Sequence, residues 1–464
     1  MKTTNALIAL AVFAGVYQTT ATTIFPIATN PAVVEISGGI ASSGTNYLVS
    51  ILSGTNVCTQ LLSTNGTLIT LLATNGHSMG SASFTGGSSS GAKFPCVAFA
   101  GTNYLQVWYD TSATKGYGQI IHANGNLSGS PFLLASSTNM VPEALASDHT
   151  NFLVILEDYN RNFYGQLATS SGTLSGSAFL ISSQVANGEA AAVTFGETNY
   201  LAIWSSQNVA NNGNMNLFFG AFVSQNGAVS TPFQIGVSPA PDWGFCGVAF
   251  DGTNYLAAWQ WDPEPETFQN VTNWEIFGRL ISQTGTFPGN EVQLVTEPGN
   301  DQIPTLAFDG SDYLLAWSHG LNVTTNTQTH FQFLDRTASP VDSEFSVFAA
   351  QSTNTPAITF DGLLFDGTRY VVADTFTRPN TLGGEVFGAF LSRLAILTVS
   401  NYAGNQFSLT LNGSPGFGYA IQMTTNLSLT NWTAIVTNTA TNGVFIFTDA
   451  HATNQSRFYR AAVQ

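Results

Sequence analysis

One stretch constrains this chain more than any other: Val248-Ala249-Phe250-Asp251-Gly252-Thr253-Asn254-Tyr255-Leu256-Ala257-Ala258-Trp259. Two short apolar runs flank four residues whose types tolerate positive φ or bond their own backbone, so it reads as a β-hairpin. The runs are β-branched, aromatic or small apolar and lack helical spacing. The stretch recurs seven times. The aromatic that opens the second run is Tyr47, Tyr104, Phe152, Tyr200, Tyr255, Tyr313 and Tyr370 in turn, at steps of 57, 48, 48, 55, 58 and 57 residues. Thr-Asn precedes it in five copies; Asp312 and Arg369 replace the Asn in the last two. A period of about 50 residues signals an array of supersecondary units.

Each unit carries two further strand signals. The third is of the type Phe277-Gly278-Arg279-Leu280-Ile281, echoed by Tyr117-Gly118-Gln119-Ile120 and Tyr164-Gly165-Gln166-Leu167. The fourth is of the type Pro232-Phe233-Gln234-Ile235, echoed by Pro131-Phe132-Leu133-Leu134, Ala178-Phe179-Leu180-Ile181 and Glu344-Phe345-Ser346-Val347. Four antiparallel strands per unit make a propeller blade, so seven units predict a seven-bladed, all-β propeller over 22–394. The seventh unit lacks a fourth strand, whereas Ile24-Phe25-Pro26-Ile27 is a fourth strand without its first three. The N-terminal strand should therefore complete the last blade and remove the open edge. The seventh unit also doubles its turn signal, at Phe360-Asp361-Gly362 and Phe365-Asp366-Gly367, which leaves open where its first strand ends.

Residues 1–21 read as a signal peptide. Lys2 supplies the basic start, Ala6 to Val16 an apolar run too short to span a bilayer, and Thr19-Thr20-Ala21 a small-residue cleavage site. The expected location is therefore secreted or cell-surface. No later stretch is long enough for a membrane helix. With 11 Lys and Arg against 27 Asp and Glu, the net charge of −16 repels phosphate backbones, which argues against nucleic acid as a partner. Cys58, Cys96 and Cys246 are odd in number and widely spaced, and read as small buried residues rather than a disulfide framework. Gly80 to Gly91 reads as a flexible loop, and its Gly-Ser-Ser-Ser-Gly lacks the strand-to-helix setting of a nucleophile elbow.

From about 395 the pattern changes to alternating apolar runs separated by turns such as Asn412-Gly413 and Asn442-Gly443, the mark of a small β-sandwich over 395–464. The seven stretches resemble Phe-Asp-Gly-Thr-Asn-Tyr-Leu-Val-x-Trp repeats of secreted bacterial β-propellers. The C-terminal pieces Tyr419-Ala420-Ile421-Gln422, Asn431-Trp432-Thr433, Phe447-Thr448-Asp449 and Arg457-Phe458-Tyr459-Arg460 resemble a fibronectin type III-like domain. These resemblances imply fold and export, with attachment or spacing at the cell surface for the second. They bring no catalytic residues.

Function, then, must be sought where the copies differ. Loops after the second strands and between blades share one face in a four-stranded blade, by analogy the ligand face of propellers. The acids and aromatics collect there: Tyr109, Asp110, Glu157, Asp158, Asp242, Trp243, Trp261, Asp262, Glu264, Trp274, Asp301, His319 and Asp374. Trp faces stack on sugar or peptide, and carboxylates accept hydroxyl hydrogen bonds or bind Ca2+. The Ca2+ loop signature is absent, and no zinc spacing occurs among the six histidines and three cysteines, so no metal or other cofactor is expected. Trp108, Trp204, Trp259 and Trp317 end second strands and read as core between blades.

The reading is a secreted or surface binding protein, monomeric, with a carbohydrate or protein ligand. The first alternative is a carbohydrate-active enzyme using two of Asp110, Glu157, Asp158, Asp262 and Asp301 at the channel mouth. The second is a purely structural surface protein.

Overall fold

The computed structural model describes residues 23–30, 32–54, 56–71, 95–183, 191–207, 216–238, 244–261, 274–320, 328–341, 343–348, 362–377, 384–391, 396–403, 406–413, 418–425, 432–439, 444–450 and 457–463. The signal-peptide residues, the Gly/Ser loop, the insertions after the second strands of the fourth, fifth and sixth units, and the boundary expected near 395 lie outside them. Every element among the described residues is a strand, and every pairing is antiparallel.

The repeat hairpins fold as read. Asp251 Oδ1 accepts the amides of Thr253 at 2.7 Å and Asn254 at 2.6 Å, and Gly252 supplies φ +89°. Asp309 and Asp366 build the same turn. Asp148 does so with His149 at φ +72° in the place of the Gly.

Seven sheets follow one another. Six span 35–71, 96–133, 141–182, 191–238, 246–293 and 300–334. The seventh contains Leu363–Phe365, Tyr370–Thr377 and Gly384–Leu391, and its fourth strand is the N-terminal Thr23–Ala28. That strand pairs Thr23 with Phe390 and Phe25 with Gly388. Pro26 sits in the outermost strand, where its missing N–H costs no ladder bond. The first strand of the seventh sheet ends at Phe365, which resolves the doubled signal in favour of Phe365-Asp366-Gly367.

The innermost strand of each sheet lies beside that of the next, and Leu363–Phe365 lies beside Glu35–Ser42, closing the ring. The third-strand glycine now has a reason. Phe132 packs on Gly118 and Phe179 on Gly165 within their own sheets, and a Cβ there would meet the ring. Phe25 packs on Gly388 in the same way, so the closing strand reproduces the contact of an ordinary fourth strand.

No single core exists. Seven apolar layers lie between neighbouring sheets, in cyclic order. One layer joins Phe25, Val371 and Phe390 to Tyr47, Val49 and Ile51; the next joins Leu48 and Leu52 to Val97 and Trp108. A second strand thus buries alternate residues against both neighbouring sheets, which is why Tyr255–Trp259 is apolar without interruption. The four Trp residues are buried in these layers, each against the preceding sheet. Cys58 and Cys96 are buried, as expected of small apolar residues, while Cys246 is only half-buried.

The sixth sheet departs from expectation. Among the described residues it has three strands, and Glu344–Val347 is held as a single bridge between Phe331 and Phe345 rather than as a regular fourth strand. The C-terminal strands form two three-stranded sheets that share a core of Leu409, Leu411, Tyr419, Ile421 and Phe445.

Deleting residues 22–30 should lower the melting temperature of the whole ring, because one apolar layer and one sheet edge lose their cover. Phe25→Ala should cost about 3 to 5 kcal/mol in denaturant unfolding. An unchanged midpoint for either variant would contradict closure by the N-terminal strand.

Candidate functional site

The innermost strands enclose a central cavity of about 190 Å³, lined by residues of all seven sheets, among them Ile40, Val97, Leu145, Val193, Val248 and Leu306. Among the described residues no carboxylate lines it, so Asp110, Glu157, Asp158, Asp301 and Asp374 do not converge on the channel.

Two of them converge elsewhere. Asp301 begins the innermost strand of the sixth sheet, and His319 lies near the end of the second strand, directly opposite in register. The Asp301 side chain is fully buried. Its Oδ1 accepts His319 Nδ1 at 2.7 Å and Trp317 Nε1 at 2.9 Å. The His319 ring stacks on His330 of the third strand at 4.3 Å, and His330 Nδ1 faces Glu344 Oε1 at 3.2 Å. A polar chain thus crosses the sheet from its innermost strand to its outer segment. Burial pushes the Asp301 carboxyl above its usual range, against the pull of His319 and Trp317. The Asp301 hydrogen bond raises the His319 imidazole above its ordinary 6.5, against the opposing effect of burial. Gly299 passes so close to the His319 ring that a Cβ would collide with Cε1.

Asp374 is likewise buried rather than presented to a ligand. Its carboxylate accepts Thr329 Oγ1 from the sixth sheet and the Thr375 amide at 2.7 Å. Desolvation raises it from 3.8 to about 7.

On the third sheet the acids act locally. Glu157, buried, pairs with Arg161 at 3.0 Å. Asp158 closes the loop by accepting the amides of Asn160 at 2.8 Å and Asn162 at 2.9 Å. Asp110 does the same for Ser112 and Ala113, as a turn acid does. Beside the Asp158 loop lies an open groove of about 540 Å³, between the link from the second to the third sheet and the third strand of the third sheet. Asp158, Tyr159 and Tyr164 line it together with Asn139, whose Oδ1 accepts the Tyr109 hydroxyl at 3.3 Å. Tyr109 thus supports the groove wall, and Tyr159 stands 84% exposed at its edge.

Trp261 ends its strand half-buried with its ring 4.7 Å from Phe277. The Trp274 carbonyl accepts the Asp301 amide at 2.8 Å, which ties the fifth sheet to the sixth. Asp242, Trp243, Asp262 and Glu264 lie outside the described residues. Among the described residues no group of three or more His, Cys, Asp or Glu is placed to hold a metal, and no helix is long and apolar enough to cross a membrane.

Sequence reasoning overlooked His330, Glu344, Thr329 and the amides Asn139 and Asn160. His319 and His330 are eleven positions apart, and only the register Trp317↔His330 shows that they meet. Asn139 carried one detectable signal, since Asn is a residue type that tolerates the left-handed region, and its φ is +58°.

No protein-family model matches the chain, and no curated protein does. Solved structures that resemble it include a hydrazine synthase of Kuenenia stuttgartiensis, 10% identical, covering 74% of this chain and 96% of that one, with a TM-score of 0.48. The β-propeller domain of the trilobed protease of Pyrococcus furiosus is 7% identical, covering 77% and 93%, with a TM-score of 0.44. An endo-arabinanase of Bacillus licheniformis is 9% identical, covering 58% and 98%, with a TM-score of 0.33. Likenesses this distant decide no activity, and the fold assignment rests on the ring of sheets.

Because the unfolded Asp374 ionises near the ordinary 3.8 and the folded one near 7, stability should decline as pH rises from about 4 to about 7. Asp374→Asn should remove most of that decline, so the variant should melt higher than wild type at pH 8; a lower melting temperature at pH 8 would contradict the burial of an ionisable group there. By proton NMR, the titration of His319 should lie above 6.5 in wild type and fall in Asp301→Asn, because the raising hydrogen bond is weakened. An unmoved midpoint would refute the coupling.

Proposed function

We propose that this is an exported, non-enzymatic binding protein. A β-propeller would present the face that bears the loops after its second strands to a carbohydrate or protein ligand, and the C-terminal sheets would space or attach it at a surface. The observation that carries this reading is the channel: it is narrow, and among the described residues no charged side chain and no carboxylate lines it. A ring-shaped hydrolase working at the channel mouth needs two carboxylates about 5 to 9.5 Å apart around a scissile bond. The acids of the third sheet are instead consumed by their own loops. Export rests on the N-terminal Lys2 and apolar Ala6 to Val16.

One observation favours the enzyme alternative. Asp301 holds His319 in the orientation that a carboxylate gives a general base. The two readings separate in one assay. Incubated with soluble polysaccharides, the mature protein should release no reducing ends, at any pH from 5 to 8. Release that Asp301→Asn abolishes at an unchanged melting temperature would establish the enzyme instead.

A further inference from the structure

We infer that the groove of the third sheet is a site for a neutral, polyhydroxylated chain, such as a stretch of uncharged polysaccharide. The inference rests on the binding-protein reading and adds to it a location and a ligand class.

The first argument is chemical. Among the described residues Asp158 is the one charged side chain lining the groove, and no Lys or Arg lines it. Its charge is already shared among the amides of Asn160 and Asn162, the Asn162 side-chain amide at 2.9 Å and the Tyr164 hydroxyl at 3.3 Å. Arg161, the nearest cation in sequence, is drawn away to buried Glu157 at 3.0 Å. A phosphate, a uronic acid or an acidic peptide would therefore lose its hydration and gain no countercharge. The exposed rim instead carries Ser136, Ser137, Thr138 and Asn160, hydroxyls and amides that both donate and accept. Sugar hydroxyls need that double capacity.

The second argument is shape. A volume of about 540 Å³ falls within the usual range for small-ligand sites. The groove is open along one side, so a chain could pass through it. Tyr159, 84% exposed, offers a ring face at the edge. An aromatic ring this open is free to stack, and the flat C–H face of a sugar suits it.

The third argument is backbone strain. Asn139 at φ +58° and Arg161 at φ +64° lie on the two loops that flank the groove. Thr114 at φ +54° supports the first of them, its carbonyl accepting the Asn139 amide at 2.8 Å. Three non-glycine residues in the left-handed region thus surround one groove, each in a loop pinned by hydrogen bonds. Strain of this kind persists where the scaffold holds a loop in one shape. Both loops are fixed before any ligand arrives, which lowers the entropic cost of binding.

The test is affinity electrophoresis of the mature protein in gels containing xylan, arabinan, mannan or mixed-linkage β-glucan, with polygalacturonate as the anionic probe. At least one neutral polymer should retard the wild type and polygalacturonate should not. Tyr159→Ala should weaken that retardation at least tenfold at an unchanged melting temperature, and Tyr159→Trp should keep it. Retardation that Tyr159→Ala leaves unchanged would overturn the groove while the binding reading stands. Retardation by polygalacturonate alone, or by none of the polymers, would overturn the ligand class, the second result leaving a protein ligand. Release of reducing ends during the same incubation would refute the binding reading itself, whatever Tyr159 does.

Discussion

The ring depends on the repeated aromatic, which is buried between neighbouring sheets in all seven copies. Each second strand opens with an aromatic that leans into the layer shared with the preceding sheet. Tyr104 donates to the carbonyl of Asn46 at 2.7 Å, Tyr255 to Asn199 at 2.9 Å, Tyr313 to Asn254 at 3.4 Å and Tyr370 to Asp312 at 2.9 Å. The acceptor is always the residue just before the preceding copy's tyrosine, so the motif is both the donor of one seam and the acceptor of the next. Burial of the aromatic ring supplies the larger stabilisation, and the hydrogen bond adds about 1 kcal/mol net in the four seams that have it. Closure itself is marked by a change of chemistry. Tyr47 donates to the Asp366 side chain, and Arg369, the copy in which Asn is replaced, lies 3.5 Å over Phe390 and donates to the Thr64 carbonyl of the first sheet.

This dependence explains why the most repeated residues carry no function. They are consumed in pairs between sheets. The side chains free to differ are those at and beyond the far end of the second strand, where His319 of the sixth sheet and the groove loop of the third lie. Phe152, the copy without a hydroxyl, opens the second strand of that same third sheet. No physical link between the missing hydroxyl and the groove is visible, since the turn and the groove loops lie at opposite ends of the strand.

Several candidate residues illustrate how burial separates a functional-looking acid from a functional one. Asp110, Asp158, Glu157 and Asp374 were singled out together by residue type and position. Two close turns, one holds an arginine, and one is buried against Thr329 with its carboxyl raised to about 7. In sequence they are indistinguishable, because an acid after a strand serves a turn, a pair or a ligand with the same letter. Asp301 and His319 were named separately, as a linker acid and a lone histidine. Their meeting at 2.7 Å depends on the register of two strands eighteen residues apart.

The sequence by itself determined the repeat, the four strands of a unit, the Asp-Gly turn and closure by the N-terminal strand. These follow from local chemistry and periodicity: Gly where φ is positive, a third-strand Gly where a Phe must approach, and unbroken apolar runs where both faces of a strand are covered. Tertiary structure alone decided that no described carboxylate lines the channel, that the fourth position of the sixth sheet is a bridge, and which polar side chains share a space. The groove is built from segments of the third sheet and its link that lie between Leu134 and Ala178. What it binds depends on where Arg161 is held and on how far Tyr159 stands from the surface. Those are properties of packing between sheets, and no single strand encodes them.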